Sequence, residues 1–234
     1  MINAPAIGPA AVCRLDAAIR AAALARRAPA AAWLGVVTLL VAAAALYGAS
    51  FGLWRSPTQA ASSAVKMPGL LLSVAAVSAL ANTWLAQSMG TRISLAQTLF
   101  GMLLGFTIAA VLLAAVSPVF FFLAVTLPGP LTPAAMTSYR CLLTLHTLAV
   151  GLAGTAGVAR LLRLLDLITG QPRAALRVLL AWLAVCALAG SELAWVVSPF
   201  LNRPGEPEML LNPDAFTMNM YEYLWKLLVV RVWS

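Results

Sequence analysis

Charge is what this chain has least of. Charged residues make up 9% of its 234 residues, and acids are the scarcer kind, seven Asp and Glu against 15 Lys and Arg. A soluble fold of this length needs a larger polar exterior, so that class is excluded. There is one histidine, His146, so a metal cluster built on imidazoles is excluded and a Ser-His-Asp triad has a single residue to draw on. The three cysteines, Cys13, Cys141 and Cys186, are scattered and odd in number, giving neither a disulfide framework nor a metal pattern. Of the three aspartates, Asp16 lies near the N-terminus, and Asp166 and Asp214 fall outside the apolar stretches, so a paired-aspartate intramembrane protease is not expected. The chain also lacks a nucleotide-binding loop, an HExxH helix and a paired-cysteine site. No enzyme, cofactor or metal centre is expected. Basic residues do not interleave with aromatics in a patch, so no nucleic-acid partner is expected either.

What is present is apolar sequence in long blocks. Apolar residues reach 62% and fall into stretches long enough to cross a bilayer, roughly 20 residues each. The expected fold is all-α, a polytopic bundle with spans at about 31–53, 68–89, 97–125, 139–163 and 178–200. Ser56-Pro57, Gly90-Thr91-Arg92, Pro128-Gly129-Pro130 and Gly170-Gln171-Pro172 punctuate them as turns. Pro68 is expected to open the second span. Residues 1–30 form a basic N-terminal tail, in which Val12, Leu15 and Ile19 recur at helical spacing. Two readings stay open there, an interfacial helix and a weakly ordered tail. The apolar block after it is too long for a signal peptide and is expected to be retained. The richness in Ala, Arg and Leu accords with a GC-rich bacterial genome, and the membrane expected is the bacterial inner one. The tail, Arg92 and the Arg160–Arg177 connector fall on one side and outnumber the basic residues on the other, which predicts a cytoplasmic N-terminus and an external C-terminus.

Small residues predict close helix packing. Gly48 and Gly52, then Gly101 and Gly105, form GxxxG pairs, and Gly151, Gly154 and Gly157 line one stretch of the fourth span. These are read as contacts within the chain rather than a dimer seam. Beyond residue 200, Pro204, Gly205 and Pro207 prevent continuation of the last span. Asn212-Pro213 reads as a helix start, followed by a short amphipathic helix with Glu222 and Lys226 as an i, i+4 pair. Its Tyr221, Tyr223, Trp225 and Trp233 suit a headgroup interface or a partner. Residues 201–234 are therefore expected as a Pro-rich exit and a surface helix.

Polar residues inside the spans are the remaining lead, because lipid makes them costly. Glu192 is the only acid in a span. At 1.5 Å per residue, His146 lies about 10 Å inside the fourth span and Glu192 about 10 Å before the exit of the fifth, on the same side. Tyr47 and Ser117 fall in that half as well, so Tyr47, Ser117, His146 and Glu192 form a candidate polar cluster. Either it binds a proton, an ion or a polar ligand beside a helix broken at Pro118, or Glu192 bonds His146 or a hydroxyl and locks the bundle. Asn82, Thr83 and Gln87 form a second stripe, read as helix-to-helix bonds.

SSAVKMP leading into the second span, VSPVFFFL late in the third, GSELAWVVSPFLNRPGEP at the exit of the fifth and the following NMYEYLW together carry a resemblance. The chain resembles a group of small bacterial five-span membrane proteins loosely similar to the Yip1 superfamily. That group carries an arginine before Pro-Phe where this chain has Ser198. The resemblance implies a scaffold that contacts membrane and partners. Two functions are thus expected in order: a non-enzymatic scaffold or membrane subunit, working with the lipid bilayer and with other subunits or copies of itself, then a small oligomeric ion or proton channel or transporter.

Overall fold

The computed structural model describes residues 8–26, 28–197 and 199–233; the side chains of Phe216 and of 227–233 lie outside that description, Trp233 among them, as does Ser198. Among the described residues the fold is all-α. Two short helices, α1 (Pro9–Arg14) and α2 (Ala17–Leu24), precede five long ones: α3 (Ala30–Gly52), α4 (Pro57–Ser88), α5 (Leu95–Thr126), α6 (Ala135–Thr169) and α7 (Pro172–Val196). A 3-10 turn (Pro213–Phe216) and α8 (Met220–Trp233) follow. All five long helices are apolar and long enough to cross a membrane. Short connectors make sequential neighbours antiparallel. The bundle therefore has an N-side, holding α1, α2 and the α4–α5 and α6–α7 turns, and a C-side, holding the α3–α4 and α5–α6 turns and the exit of α7.

Helix α5 sits centrally, against α3, α4 and α6, and α7 closes the bundle on α4 and α6. Phe100, Leu104, Leu164 and Trp182 fill the N-side core, and Tyr47, Phe51, Phe120 and Leu142 fill the C-side core. The N-terminal segment joins the first of these. Val12 and Ile19 are fully buried, and Gln97 Nε2 donates to Leu24 O at 3.1 Å. The apolar face of residues 9–24 thus covers protein, while Arg14 and Arg20 face outward. The segment is thus helical, with its apolar side packed on the bundle.

Two prolines are passed through. Helix α4 starts at Pro57, where a first-turn proline loses nothing and Ser56 Oγ accepts from Gln59 N at 2.9 Å, so Pro68 stands inside it rather than at its start. Pro118 likewise lies within α5, which runs on to Thr126 instead of breaking. Neighbouring helices hold such residues in a bundle where an isolated helix would kink. At the N-side, Gly170 closes α6 at φ 64°, a left-handed value that lets α7 begin two residues later. With 32, 32 and 35 residues, α4, α5 and α6 outreach the hydrocarbon layer, which is roughly 30 Å deep.

The glycines divide. Gly48 lies on the backbone of Ser63, and a Cβ at Gly52 would stand 2.6 Å from Gln59 O, so α3 and α4 meet backbone to backbone. A Cβ at Gly157 would stand 2.6 Å from Gly105 O, which joins α6 to α5. Gly101 and Gly105 face side chains at ordinary distances, 3.5 and 3.8 Å. Gly151 and Gly154 have nothing within 4 Å, contrary to their expected packing role; Gly151 is exposed on α6, and Gly154 borders a small apolar cavity shared with α5 and α7, while Gly157 makes the close contact.

Candidate functional site: the polar layer of the C-side

Tyr47 of α3 is fully buried, and its hydroxyl lies 2.8 Å from His146 Nδ1 of α6. The two rings stack at 5.7 Å, Phe51 stacks on the imidazole at 4.2 Å, and Phe120 of α5 stands edge-on to Tyr47 at 5.3 Å. With the phenol donating, Nδ1 accepts and the neutral imidazole carries its proton on Nε2. One polar pair is thereby satisfied inside an aromatic box. Ser117 is buried nearby, and its hydroxyl donates to Leu113 O of its own helix at 3.4 Å.

Glu192 does not join this pair. Its Oε2 accepts from Met220 N, the first amide of α8, at 3.3 Å, and its Oε1 is buried without a partner. The depths agree, but the directions differ. His146 leaves α6 toward α3, while Glu192 leaves α7 toward α8. An acid at the N-terminus of α8 meets the positive end of that helix. The expected lock between α6 and α7 is instead one between α7 and the tail.

The rest of α8 is docked by similar means. Tyr221 hydroxyl lies 2.6 Å from Ser191 Oγ and donates to Leu188 O at 3.1 Å. Trp195 Nε1 donates to Met218 O at 2.9 Å, and its ring packs 4.8 Å from Tyr223. Asn219 and Glu222 form a reciprocal cap, Glu222 N to Asn219 Oδ1 at 2.8 Å and Asn219 N to Glu222 Oε2 at 3.1 Å. The helix therefore starts at Met220; Asn212 caps only the 3-10 turn, through Asp214 N at 3.1 Å. Tyr221 and Tyr223 are partly occupied by α7, whereas Trp225 stays 70% exposed.

The largest polar assembly on this side escapes the sequence reading. Residues 199–212 form a strap over the α3–α4 hairpin. Gln59 Nε2 and Ser63 Oγ both donate to Phe200 O, at 2.8 and 2.5 Å. Lys66 Nζ donates to Met209 O at 2.6 Å and reaches Pro199 O at 3.4 Å. Arg55 donates to Glu206 O at 3.1 Å and stands 3.8 Å from the Glu208 carboxylate, which also accepts from Ser56 Oγ at 2.7 Å. Pro199, Pro204 and Pro207 keep the strap out of regular structure, so its carbonyls, chiefly those of Phe200 and Met209, take side-chain donors. The available signal was Gln59, Ser63 and Lys66 at i, i+4 and i+7, one face of a helix once that helix is begun at Pro57.

Elsewhere the second stripe acts in part as expected. Thr83 donates to Thr98 of α5 at 2.9 Å, and Asn82 Nδ2 reaches Met102 Sδ of α5 and Cys186 Sγ of α7 at 3.5 and 3.6 Å, whereas Gln87 Nε2 donates to Ile93 O of the α4–α5 turn at 3.0 Å. A GxSxG motif, not expected from the sequence, is nevertheless spelled by Gly48-Ala49-Ser50-Phe51-Gly52. A nucleophile elbow needs a sharp strand-to-helix turn. Ser50 instead lies within α3, buried, donating to Tyr47 O at 2.7 Å. Outside the spans, burial pushes the Cys13 thiol up, with Arg160 opposing it, so this cysteine is a packing residue rather than a thiolate. Among the described residues no three His, Cys, Asp or Glu groups converge.

No protein-family model matches the chain, and neither the curated proteins nor the solved structures yield a match.

The Tyr47–His146 bond has a measurable weight. Tyr47→Phe is expected to destabilise the protein by about 1 kcal/mol, leaving Nδ1 unpaired. Adding His146→Phe to it removes both polar partners and recovers most of that loss. Melting temperatures of the four proteins in one detergent form the double-mutant cycle; additive losses would deny the coupling.

Proposed function

We propose that this chain is a non-enzymatic scaffold or membrane subunit of a larger assembly, seated in the bacterial inner membrane with its N-side in the cytoplasm. The observation that carries this reading is the tail. Capping, three side-chain hydrogen bonds and an aromatic contact fasten the start of α8 to α7, yet Trp225 is left open to its surroundings. An exposed indole on a held helix is a frequent anchor of protein contacts. The polar layer serves the same reading, since Tyr47 and His146 bond each other and Glu192 Oε2 holds the first amide of α8. Orientation rests on the arginines: Arg14, Arg20, Arg92, Arg160, Arg163, Arg173 and Arg177 belong to the N-side.

The test pairs two measurements on the whole chain. A photo-crosslinker at position 225 in native membranes is expected to capture another membrane polypeptide or a second copy, with capture lost when α8 is undocked by Ser191→Leu. Reconstituted in liposomes, the protein is expected to pass neither protons nor ions. Flux that disappears in Glu192→Gln would overturn the scaffold and install the channel.

A further inference from the structure

A second feature lies at the opposite end of the bundle. The segment after α2, the α4–α5 turn and the α6–α7 turn enclose a cavity of about 450 Å³. That is within the range of small-molecule pockets. Arg26, Arg92 and Arg177 line it, one from each of three chain segments, and no carboxylate does so among the described residues. Gln171, also in the lining, is the N-cap residue of α7 and makes no side-chain cap bond; Pro172 at the first position has no N–H, so the amides of Arg173 and Ala174 supply the positive partial charge of this 25-residue helix. The wall is not wholly polar. Leu24, 45% exposed, and Ile168 belong to it as well.

These parts select a ligand. Three guanidinium groups with a helix N-terminus suit a phosphate, whose oxygens match the planar guanidinium fork. The cavity opens at the N-side, where four long apolar helices end or begin. Apolar residues beside the arginines suit a ligand that continues into acyl chains. A basic pocket between membrane helices has this chemistry for anionic headgroups. We propose that this cavity binds the phosphate of one anionic phospholipid per chain, held by Arg26, Arg92 and Arg177. Arg14, Arg20 and Arg163 stand at the same end; all six arginines are exposed, but these three line none of this cavity.

The experiment uses the full chain in mild detergent, with phosphatidylglycerol and phosphatidylcholine as probes. Native mass spectrometry is expected to show one retained phosphatidylglycerol, and phosphatidylglycerol is expected to raise the melting temperature more than phosphatidylcholine. Changing Arg26, Arg92 and Arg177 together to Gln is expected to weaken the binding about a hundredfold. Changing Arg14, Arg20 and Arg163 to Gln leaves it close to that of the unaltered chain. Equal loss in both triple variants overturns the site in favour of general surface attraction. Equal stabilisation by the two lipids overturns it without recourse to any variant, so misfolding of the triple mutant cannot hide the answer. Stabilisation of lipid-free protein by inorganic phosphate to the same extent overturns the lipid as the ligand.

Discussion

Gly48→Ala is expected to cost about 3 kcal/mol, the upper end of overpacking effects, and to lower the melting temperature more than Gly52→Ala, whose Cβ would stand farther from the facing backbone. The added Cβ falls on the Ser63 carbonyl and 3.0 Å from Met67 Cγ. Met67 has rotamers to spare, but the backbone of α4 does not, so relief requires the helices to separate. Separation also disturbs Ser63 Oγ, which holds the strap through Phe200 O. The gain in helix propensity from Gly to Ala, about 1 kcal/mol, offsets only part of this. Gly151→Ala and Gly154→Ala provide the contrast. A Cβ there meets nothing, so the propensity gain stands alone and stability is unchanged or slightly higher. Thermal melts of the four variants in one detergent give the ordering. A large loss at Gly151 in native membranes but not in detergent would identify that face of α6 as a seam with another helix.

Lys66→Met is the second substitution with a large expected effect. The lysine is 4% exposed, and its ammonium group donates to Met209 O, with Pro199 O also within reach. Methionine keeps most of the stem and removes the donor, so packing changes little while two strap carbonyls lose their cation. Charge-assisted bonds of this kind are worth about 1.5–3 kcal/mol. The loss should be local first. Amide exchange and protease cleavage across residues 199–212 are expected to rise well before the bundle melts, because Gln59 and Ser63 still hold Phe200. Gln59→Leu tests the other end of the strap and should loosen it less, with Ser63 left in place. Unchanged exchange in Lys66→Met would remove this lysine from the strap's support.

How far the sequence could be read differs from element to element. The spans were legible because each needs a block of apolar residues, and a block is a local property. Their ends were less so. Helix α4 reaches back to Pro57 because a first-turn proline with a serine cap is as good a start as Pro68, and hydropathy does not see caps. The N-terminal segment offered a helical period, but periodicity states only that one face is apolar. Whether that face covers lipid or α5 depends on where α5 stands.

The polar layer shows the same boundary at single residues. Depth follows from sequence at 1.5 Å per residue, and it correctly brought Tyr47 and His146 to one level. Azimuth does not follow, because rotation of each helix about its axis is set by packing against its neighbours. Backbone contact at Gly48 and Gly157 fixes α3 on α4 and α6 on α5. That packing turns His146 toward Tyr47, leaving Glu192 to cap α8. By itself, then, the sequence determined that the chain is an all-α membrane bundle of five spans, since the cost of exposing backbone and charge to lipid leaves few other arrangements. The tertiary structure alone decided which polar groups meet, because a hydrogen bond needs a direction as well as a depth.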